Sequence, residues 1–121
     1  MANILIVEDS RVKLHIVRRI LQSEGHTVFS AEDGLVGLAQ LEATPNIDLI
    51  ISDIHMPNCD GLEFVARTRA NGYTIPIVLL TATGDETYRL KADELDVEGF
   101  LTQPFDSADL LAMVGSLLVS V

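Results

Sequence analysis

The chain of 121 residues has a single cysteine, no tryptophan and few basic side chains. Cys59 cannot form a disulfide within the chain, and one cysteine cannot supply the spacing of a thiolate metal site. Lysine and arginine together number 8, against 18 aspartates and glutamates, which gives a net charge of −10. This charge argues against nucleic-acid phosphates or anionic lipid as a direct partner, and it favours a basic protein surface or a divalent cation.

Long hydrophobic runs are also missing. The apolar runs at residues 4–7 and 76–80 are too short to cross a bilayer, and the N-terminus lacks the basic start and cleavage site of a signal peptide. However, hydrophobic residues make up 48% of the chain, which argues against disorder. We therefore expect residues 1–121 to form one soluble, cytoplasmic domain with a core of ordinary size.

Short apolar runs alternate with segments of helix length along the chain. The predicted strands are residues 4–7, 27–30, 48–51, 76–80 and 99–101. The predicted helices are residues 10–24, 33–43, 61–70, 85–95 and 106–119. Because the central runs are continuously apolar rather than alternating, they suit parallel strands covered on both faces.

This alternation of strand and helix, without a composition break or a repeat, predicts the fold class. We expect an α/β domain in which helices cover both faces of one parallel five-stranded sheet, a (βα)5 three-layer sandwich. Within that class we expect the flavodoxin-like strand order 2-1-3-4-5, which is taken from the class of doubly wound folds rather than from the residues.

Acidic side chains follow two of the predicted strands. Glu8 and Asp9 come after the first strand, Asp53 comes after the third, and the hydroxyl of Thr81 ends the fourth. In open parallel sheets, ligands bind outside the carboxyl ends of the strands at the switch point. Carboxylates crowded there repel one another unless a hard cation such as Mg²⁺ neutralises them. The alternative is that these residues are solvated or cap helices, as Asp9 could do before the first helix.

Four segments of the chain carry recognisable motifs, in order and with regular spacing. They are ILIVEDS at 4–10, DLIISDIHMP at 48–57 followed by Asp60-Gly61, PIVLLTA at 76–82 and GFLTQPF at 99–105. Together they resemble the motifs of response-regulator receiver domains of two-component phosphorelays. The resemblance extends over essentially the whole chain.

The resemblance implies a role for each of the acidic residues. Asp53 would be the nucleophile that takes a phosphoryl group from a phosphohistidine on a sensor histidine kinase or a phosphotransfer protein, and it would become an aspartyl phosphate. Mg²⁺ would be held by Asp9, Asp53 and the backbone carbonyl of His55, with Glu8 acting mostly through water. The ion would neutralise charge on the phosphoryl oxygens during transfer.

The resemblance also implies a switch and an output surface. Thr81 would donate its hydroxyl to a phosphoryl oxygen, and Phe100 would turn inward as Thr81 moves, although a plain core role for Phe100 is equally compatible with the sequence. The fourth predicted helix, the fifth strand and the fifth predicted helix would meet a downstream protein or a second copy of the chain. The strongly apolar last helix favours such a contact.

The main departure from the family pattern is Gln103. The family carries a lysine before this proline, and its ammonium group pairs with the phosphoryl group. We expect phosphorylation of Asp53 to persist, with coupling to the strand 5 surface that is weakened or rewired. The resemblance also implies a cis Gln103-Pro104 bond, and it implies a left-handed backbone at Asp96, where relatives have glycine.

Two other functions are compatible with parts of this pattern. The first is a pseudo-receiver, an interaction module of the same fold that works without phosphorylation, which Gln103 favours. The second is a Mg²⁺-dependent phosphohydrolase with Asp53 as its nucleophile. Such enzymes commonly need a second acid two residues on, where His55 stands, so we expect a signalling domain that assists only its own phosphorylation and dephosphorylation.

Overall fold

The computed structural model describes residues 1–82, 94 and 96–118. The strands are β1 (Asn3–Val7), β2 (Thr27–Ala31), β3 (Leu49–Asp53), β4 (Ile77–Ala82) and β5 (Gly99–Gln103). The helices among these residues are α1 (Arg11–Ser23), α2 (Gly34–Ala43), α3 (Gly61–Ala70) and α4 (Ser107–Leu118). Most of the predicted helix at 85–95, together with residues 119–121, lies outside the described residues, and so does that helix's part of the predicted output surface.

The sheet has the predicted fold. Its five strands pair in parallel in the order β2-β1-β3-β4-β5, so the order 2-1-3-4-5 is confirmed. All five residues of β3 are buried, as expected of a central strand covered on both faces, whereas β2 is a partly exposed edge strand.

Four strands continue further at their carboxyl ends than the sequence predicts, β2 by one residue and β3, β4 and β5 by two. Backbone pairing extends to Asp53, which is opposite Leu80, and to Thr81, which is opposite Thr102. Gln103 is likewise the last residue of β5. The apolar runs end earlier because the side chains at these positions are polar, but the backbone pairing does not depend on side-chain polarity. These residues are therefore held by the sheet rather than by loops.

Helices cover both faces of the sheet and create two cores. Leu5, Val7 and Ile50 face the core that contains residues of α2 and α3, including Phe64. The other core holds the intervening sheet residues together with residues of α1 and α4, and its buried members are Ala2, Ile4, Ile6, Val17, Leu21, Leu49, Ile51, Val78, Leu80, Leu101, Leu110 and Val114. The period-two alternation of the strands therefore produces the predicted three layers.

Helix α1 begins beside the carboxyl ends of the strands. Ser10 is its N-cap, and the Ser10 hydroxyl accepts a hydrogen bond from the backbone N–H of Lys13 at 3.3 Å. The cap is therefore Ser10 rather than Asp9. Val17 and Leu21 are buried, but Ile16 is 51% exposed and Lys13 is also exposed. Lys13 and Ile16 line a groove that Gln103 also lines, so the face of α1 that carries them is only partly in the core.

Helix α2 packs through glycine rather than through its large side chains alone. Gly34, Gly37 and Leu41 are its buried residues, whereas Leu35 is 46% exposed. A Cβ atom at Gly37 would lie 2.9 Å from Cε1 of Phe64, so the helices approach closely at this point. None of the helices in the described part of the chain is long and apolar enough to be a membrane span.

Candidate functional site

The structure brings the three predicted carboxylates together. β1 and β3 are neighbours, with Val7 opposite Ser52, so Glu8 and Asp53 occupy adjacent positions at one edge of the sheet. One carboxylate oxygen from each of Glu8, Asp9 and Asp53 lies within 4.8 Å of the others. Glu8 and Asp53 are buried and Asp9 is exposed, so the cluster opens towards solvent on one side.

Glu8 is a buried acid with an incomplete set of partners. Its Oε2 accepts a hydrogen bond from the backbone N–H of Ser10 at 3.1 Å, while its buried Oε1 has no hydrogen-bond partner among the described residues. Burial raises the pKa of Glu8 to about 7, and the nearby charge of Asp53 adds to this effect. A buried carboxylate oxygen without a donor suits a cation, and three carboxylates suit a hard cation such as Mg²⁺.

Asp53 presents its two carboxylate oxygens to different neighbours. Oδ1 accepts a hydrogen bond from the backbone N–H of Ile54 at 2.8 Å. Oδ2 lies 3.7 Å from Nζ of Lys13, whose side chain is 48% exposed. The backbone contact fixes the carboxylate on one side and leaves the other oxygen beside a cation.

Asp53 and Lys13 line a cavity of about 620 Å³ at the carboxyl ends of the strands. The other lining residues are Asp9, Ser10, His55, Gln103 and Pro104. The cavity therefore contains four of the predicted site residues, and it is bordered by the cis peptide bond between Gln103 and Pro104, which confirms that prediction.

The predicted switch residues lie on neighbouring strands. Thr81 is buried near the end of β4, and Phe100 in β5 is partly buried against the core that contains Phe64. Phe100 is opposite Leu79, and alternation along β4 places Thr81 on the same face of the sheet as Leu79. Thr81 and Phe100 are thus diagonal neighbours on one face, as coupled motion would require.

The start of α3 packs against the end of β3. Asp60 caps this helix by accepting a hydrogen bond from the backbone N–H of Glu63 at 2.9 Å. The N–H of Gly61 donates to the carbonyl oxygen of Ile54 at 2.7 Å. The backbone of α3 therefore contacts Ile54, the residue that follows Asp53.

Sequence reasoning assigned no site role to Lys13. Lys13 is in the predicted first helix, and the stem of a lysine there can lie along apolar surface while its ammonium group stays exposed. Two signals could have identified it: Lys13 is three residues after the N-cap Ser10, close to the acidic cluster, and Gln103 leaves the site without its expected cation.

The left-handed backbone predicted at Asp96 is confirmed, with φ of 60°.

The raised pKa of Glu8 predicts how stability depends on pH in the metal-free protein. A carboxyl whose pKa is raised by folding binds its proton more tightly in the folded chain. Its stabilising contribution is complete below pH 4.5 and is lost as the pH rises through about 7. We expect a loss of up to about 3 kcal/mol in the free energy of unfolding.

Urea unfolding in a chelator across this pH range measures the effect. Glu8→Gln isolates the effect of this acidic cluster, because the difference between wild type and variant removes the titrating groups that do not interact with Glu8. An unfolding free energy that changes with pH identically in the two proteins would contradict the assignment.

Comparisons with known proteins agree with this geometry. Residues 4–115 match the family model for the response regulator receiver domain. Among curated proteins, the alkaline phosphatase synthesis transcriptional regulatory protein SphR of Synechococcus elongatus is 36% identical over 97% of this chain and 49% of its own length. The transcriptional regulatory protein CusR of Escherichia coli is 39% identical over 95% of this chain and 50% of its own length. The chain thus spans about half the length of these relatives.

Solved structures of similar shape include single domains and parts of larger proteins. The chemotaxis protein CheY4 of Vibrio cholerae is 32% identical, with a TM-score of 0.88 over 98% of this chain and 99% of its own. The receiver domain of a histidine kinase from Syntrophus aciditrophicus is also 32% identical, with a TM-score of 0.89 over 98% of this chain and 90% of its own.

Proposed function

Because this chain belongs to the response regulator receiver domains, we propose that it accepts a phosphoryl group on Asp53 within a two-component system. The observation that carries the proposal is the position of Asp53 at the end of β3. Its carboxylate has one oxygen fixed by the Ile54 backbone and the other beside a cation and a cavity, with two further carboxylates close by. The donor would be a phosphohistidine on a sensor histidine kinase or a phosphotransfer protein.

The proposed transfer uses Asp53 as the nucleophile. Oδ2 forms a bond to phosphorus while the bond between phosphorus and the donor's imidazole nitrogen breaks, and the imidazole leaves with that electron pair. The hydrogen bond from the Ile54 N–H holds the carboxylate at Oδ1, so Oδ2 remains oriented towards the cavity. This fixed orientation lowers the entropy cost of reaching the transition state.

The acidic cluster would hold Mg²⁺ for this reaction. Asp9 and Asp53 would be the direct ligands together with the backbone carbonyl of His55, and Glu8 would act mostly through water. When bound, the ion supplies positive charge to the phosphoryl oxygens. The partnerless Oε1 of Glu8 and the all-oxygen donor set support this assignment.

Thr81 and Phe100 would pass the change at Asp53 to the surface of β5 and α4. Thr81, near the carboxyl end of β4 beside β3, would donate its hydroxyl across the edge of the sheet to a phosphoryl oxygen, and Phe100 would occupy the space that Thr81 leaves on the face that these two residues share. This surface would then bind a downstream protein or a second copy of the chain. With a net charge of −10, the domain itself would not contact nucleic acid.

Intact mass spectrometry tests the proposal directly. The wild type is incubated with Mg²⁺ and acetyl phosphate, a small acyl phosphate that replaces the kinase. We expect the mass to increase by one phosphoryl group, and we expect no increase when a chelator removes the Mg²⁺. If the mass does not change although Mg²⁺ binding is shown by titration, the proposal fails and the phosphorylation-independent interaction module is favoured.

A further inference from the structure

The site collects negative charge and needs a cation of its own. Three carboxylates already meet at this edge of the sheet, and the proposed reaction adds a phosphoryl group to one of them. Gln103, the residue of β5 that lines the cavity, can donate a hydrogen bond but carries no charge. Lys13 also lines the cavity, and its ammonium group lies 3.7 Å from Oδ2 of Asp53.

We propose that Lys13, from the first turn of α1, supplies the positive charge that binds the phosphoryl group on Asp53. This assignment rests on the proposed function of Asp53 and names a further catalytic residue for it. The resemblance predicts a lysine on the β5 side of the cavity, whereas in this chain the positive charge would come from the α1 side.

The backbone around Lys13 is tied to the acidic cluster. The N–H of Ser10 donates to Oε2 of Glu8, and the N–H of Lys13 donates to the hydroxyl of Ser10. These two bonds fix the start of α1 relative to Glu8. The Cα atom of Lys13 is therefore held in place, and the flexible side chain must only span the distance to Asp53.

Sheet alternation explains why α1 can reach the acceptor. Asp53 is on the same face of β3 as Leu49 and Ile51, which pack in the core that contains residues of α1. By the same alternation, Gln103 is on the face of β5 that carries Leu101, a member of the same core. A cation on α1 and a residue at position 103 thus line the same cavity as Asp53, on one face of the sheet.

The separation of 3.7 Å suits a cation that changes partner. It is longer than the usual 2.7–3.2 Å of a nitrogen-to-oxygen hydrogen bond, so Nζ is close to Oδ2 but is not locked to it. A phosphoryl group bonded to Oδ2 would place new charged oxygens in the cavity beside Nζ. Lys13 could then bind one of them by a small change of side-chain torsions.

The phosphorylation rate at saturating acetyl phosphate tests this assignment. In each variant Oδ2 of Asp53 forms a bond to phosphorus while the bond between phosphorus and the acetate oxygen of the donor breaks. The acetate leaves with the electron pair of that bond. We expect Lys13→Met to lower this rate about tenfold, because Lys13 is half-exposed and solvent screens part of its charge. Lys13→Arg, which keeps the charge, should retain more of the rate than Lys13→Met. Arg19→Met removes one charge from an exposed position of α1 and should also match the wild type.

Gln103→Lys distinguishes a role of Lys13 in the reaction from a merely structural ion pair. If the ion pair were only structural, a charge at position 103 would not change the phosphorylation rate of Lys13→Met. In the Lys13→Met background it should restore most of the lost rate, and in the wild-type background it should add much less, because one cation already serves the cavity. Urea unfolding of each variant confirms that the rates compare folded proteins. These four proteins form a double-mutant cycle, which measures how strongly the effects of positions 13 and 103 on the phosphorylation rate depend on each other.

The outcomes separate this inference from the proposed function. If the wild type is phosphorylated and Lys13→Met reacts at the same rate, the role of Lys13 is overturned and Asp53 remains the proposed acceptor. An equal slowing by Arg19→Met, or an equal gain from Gln103→Lys in both backgrounds, would overturn it too. A wild type that takes up no phosphoryl group would overturn both assignments together.

Discussion

The Asp53→Asn variant is expected to take up no phosphoryl group under conditions in which the wild type gains one. The amide lacks the nucleophilic carboxylate oxygen that Oδ2 provides beside Lys13. Its side-chain oxygen can still accept the hydrogen bond from the Ile54 N–H, so the fold around β3 should be preserved. The effect is a complete loss of uptake rather than a graded one, because no other atom at this position can replace the nucleophile.

The same variant should also change the neighbouring acid. The charge of Asp53 contributes to the raised pKa of Glu8, so its removal should bring the pKa of Glu8 down from about 7. Mg²⁺ binding should weaken, since one of the three converging carboxylates is gone. Titration of Mg²⁺ and the pH dependence of urea unfolding measure these two changes.

Asp106→Asn is a matched control, because Asp106 is an exposed aspartate outside the acidic cluster. It should gain the phosphoryl group as the wild type does. Uptake by Asp53→Asn at the wild-type level would show that another residue is the acceptor. Peptide mapping of the phosphorylated protein would then identify that residue.

The Gly61→Ala variant is expected to lose about 3 kcal/mol of unfolding free energy, although it adds only one methyl group. A Cβ atom at this position would collide with the carbonyl oxygen of Asp53 and would lie 2.7 Å from Cα of Ile54. Both are backbone atoms at the end of a fully buried strand, so they cannot move aside as a side chain could. For a chain of this length the melting temperature should fall by roughly 10 °C.

Phosphoryl uptake should fall along with stability in Gly61→Ala. Moving the start of α3 away from β3 would disturb Ile54, whose N–H holds Oδ1 of Asp53. Slower uptake in the fraction that stays folded would show that α3 positions the acceptor as well as packing against it. Thermal unfolding and the phosphorylation rate, measured on the same preparation, distinguish the two effects.

Gly115→Ala is the matched control for this substitution. Gly115 is in α4, and a Cβ atom there would meet nothing within 4 Å. The change should therefore raise stability by about 0.5–1 kcal/mol, the ordinary gain for alanine over glycine in a helix. If Gly61→Ala proved as stable as the wild type, the close contact between α3 and the acceptor strand would be contradicted.

The fold class and the acidic cluster could be predicted from the sequence because both depend on local patterns. Continuous apolar runs separated by helix-length segments are sufficient to indicate a covered parallel sheet. Once the strands are parallel, Glu8 and Asp53 must lie at the same edge, since each comes at the carboxyl end of its strand. The bounds of α3 also agree with the prediction, because Asp60 and Gly61 mark its start.

The structure differs from the predictions at features that do not depend on the polarity of the side chains. β3, β4 and β5 continue into polar residues because backbone pairing persists there. The contact face of α2 is built partly on Gly34 and Gly37, which contribute nothing to an apolar pattern, whereas Leu35 of the same helix is 46% exposed. Small residues are selected at such points by the closeness of another element, which a hydropathy pattern cannot show.

The sequence by itself determined the charge of this protein, its alternation of strands and helices and the carboxylates at the strand ends. Only the tertiary structure decided that Lys13 approaches Oδ2 of Asp53, that Gly61 must lack a side chain, and that Thr81 and Phe100 share one face of the sheet. The physical reason is that each of these pairs joins two different elements, with separations of 8, 19 and 40 positions along the chain. Residues 40 positions apart meet only after the sheet has fixed which helix covers which face, and that arrangement is a property of the packed layers.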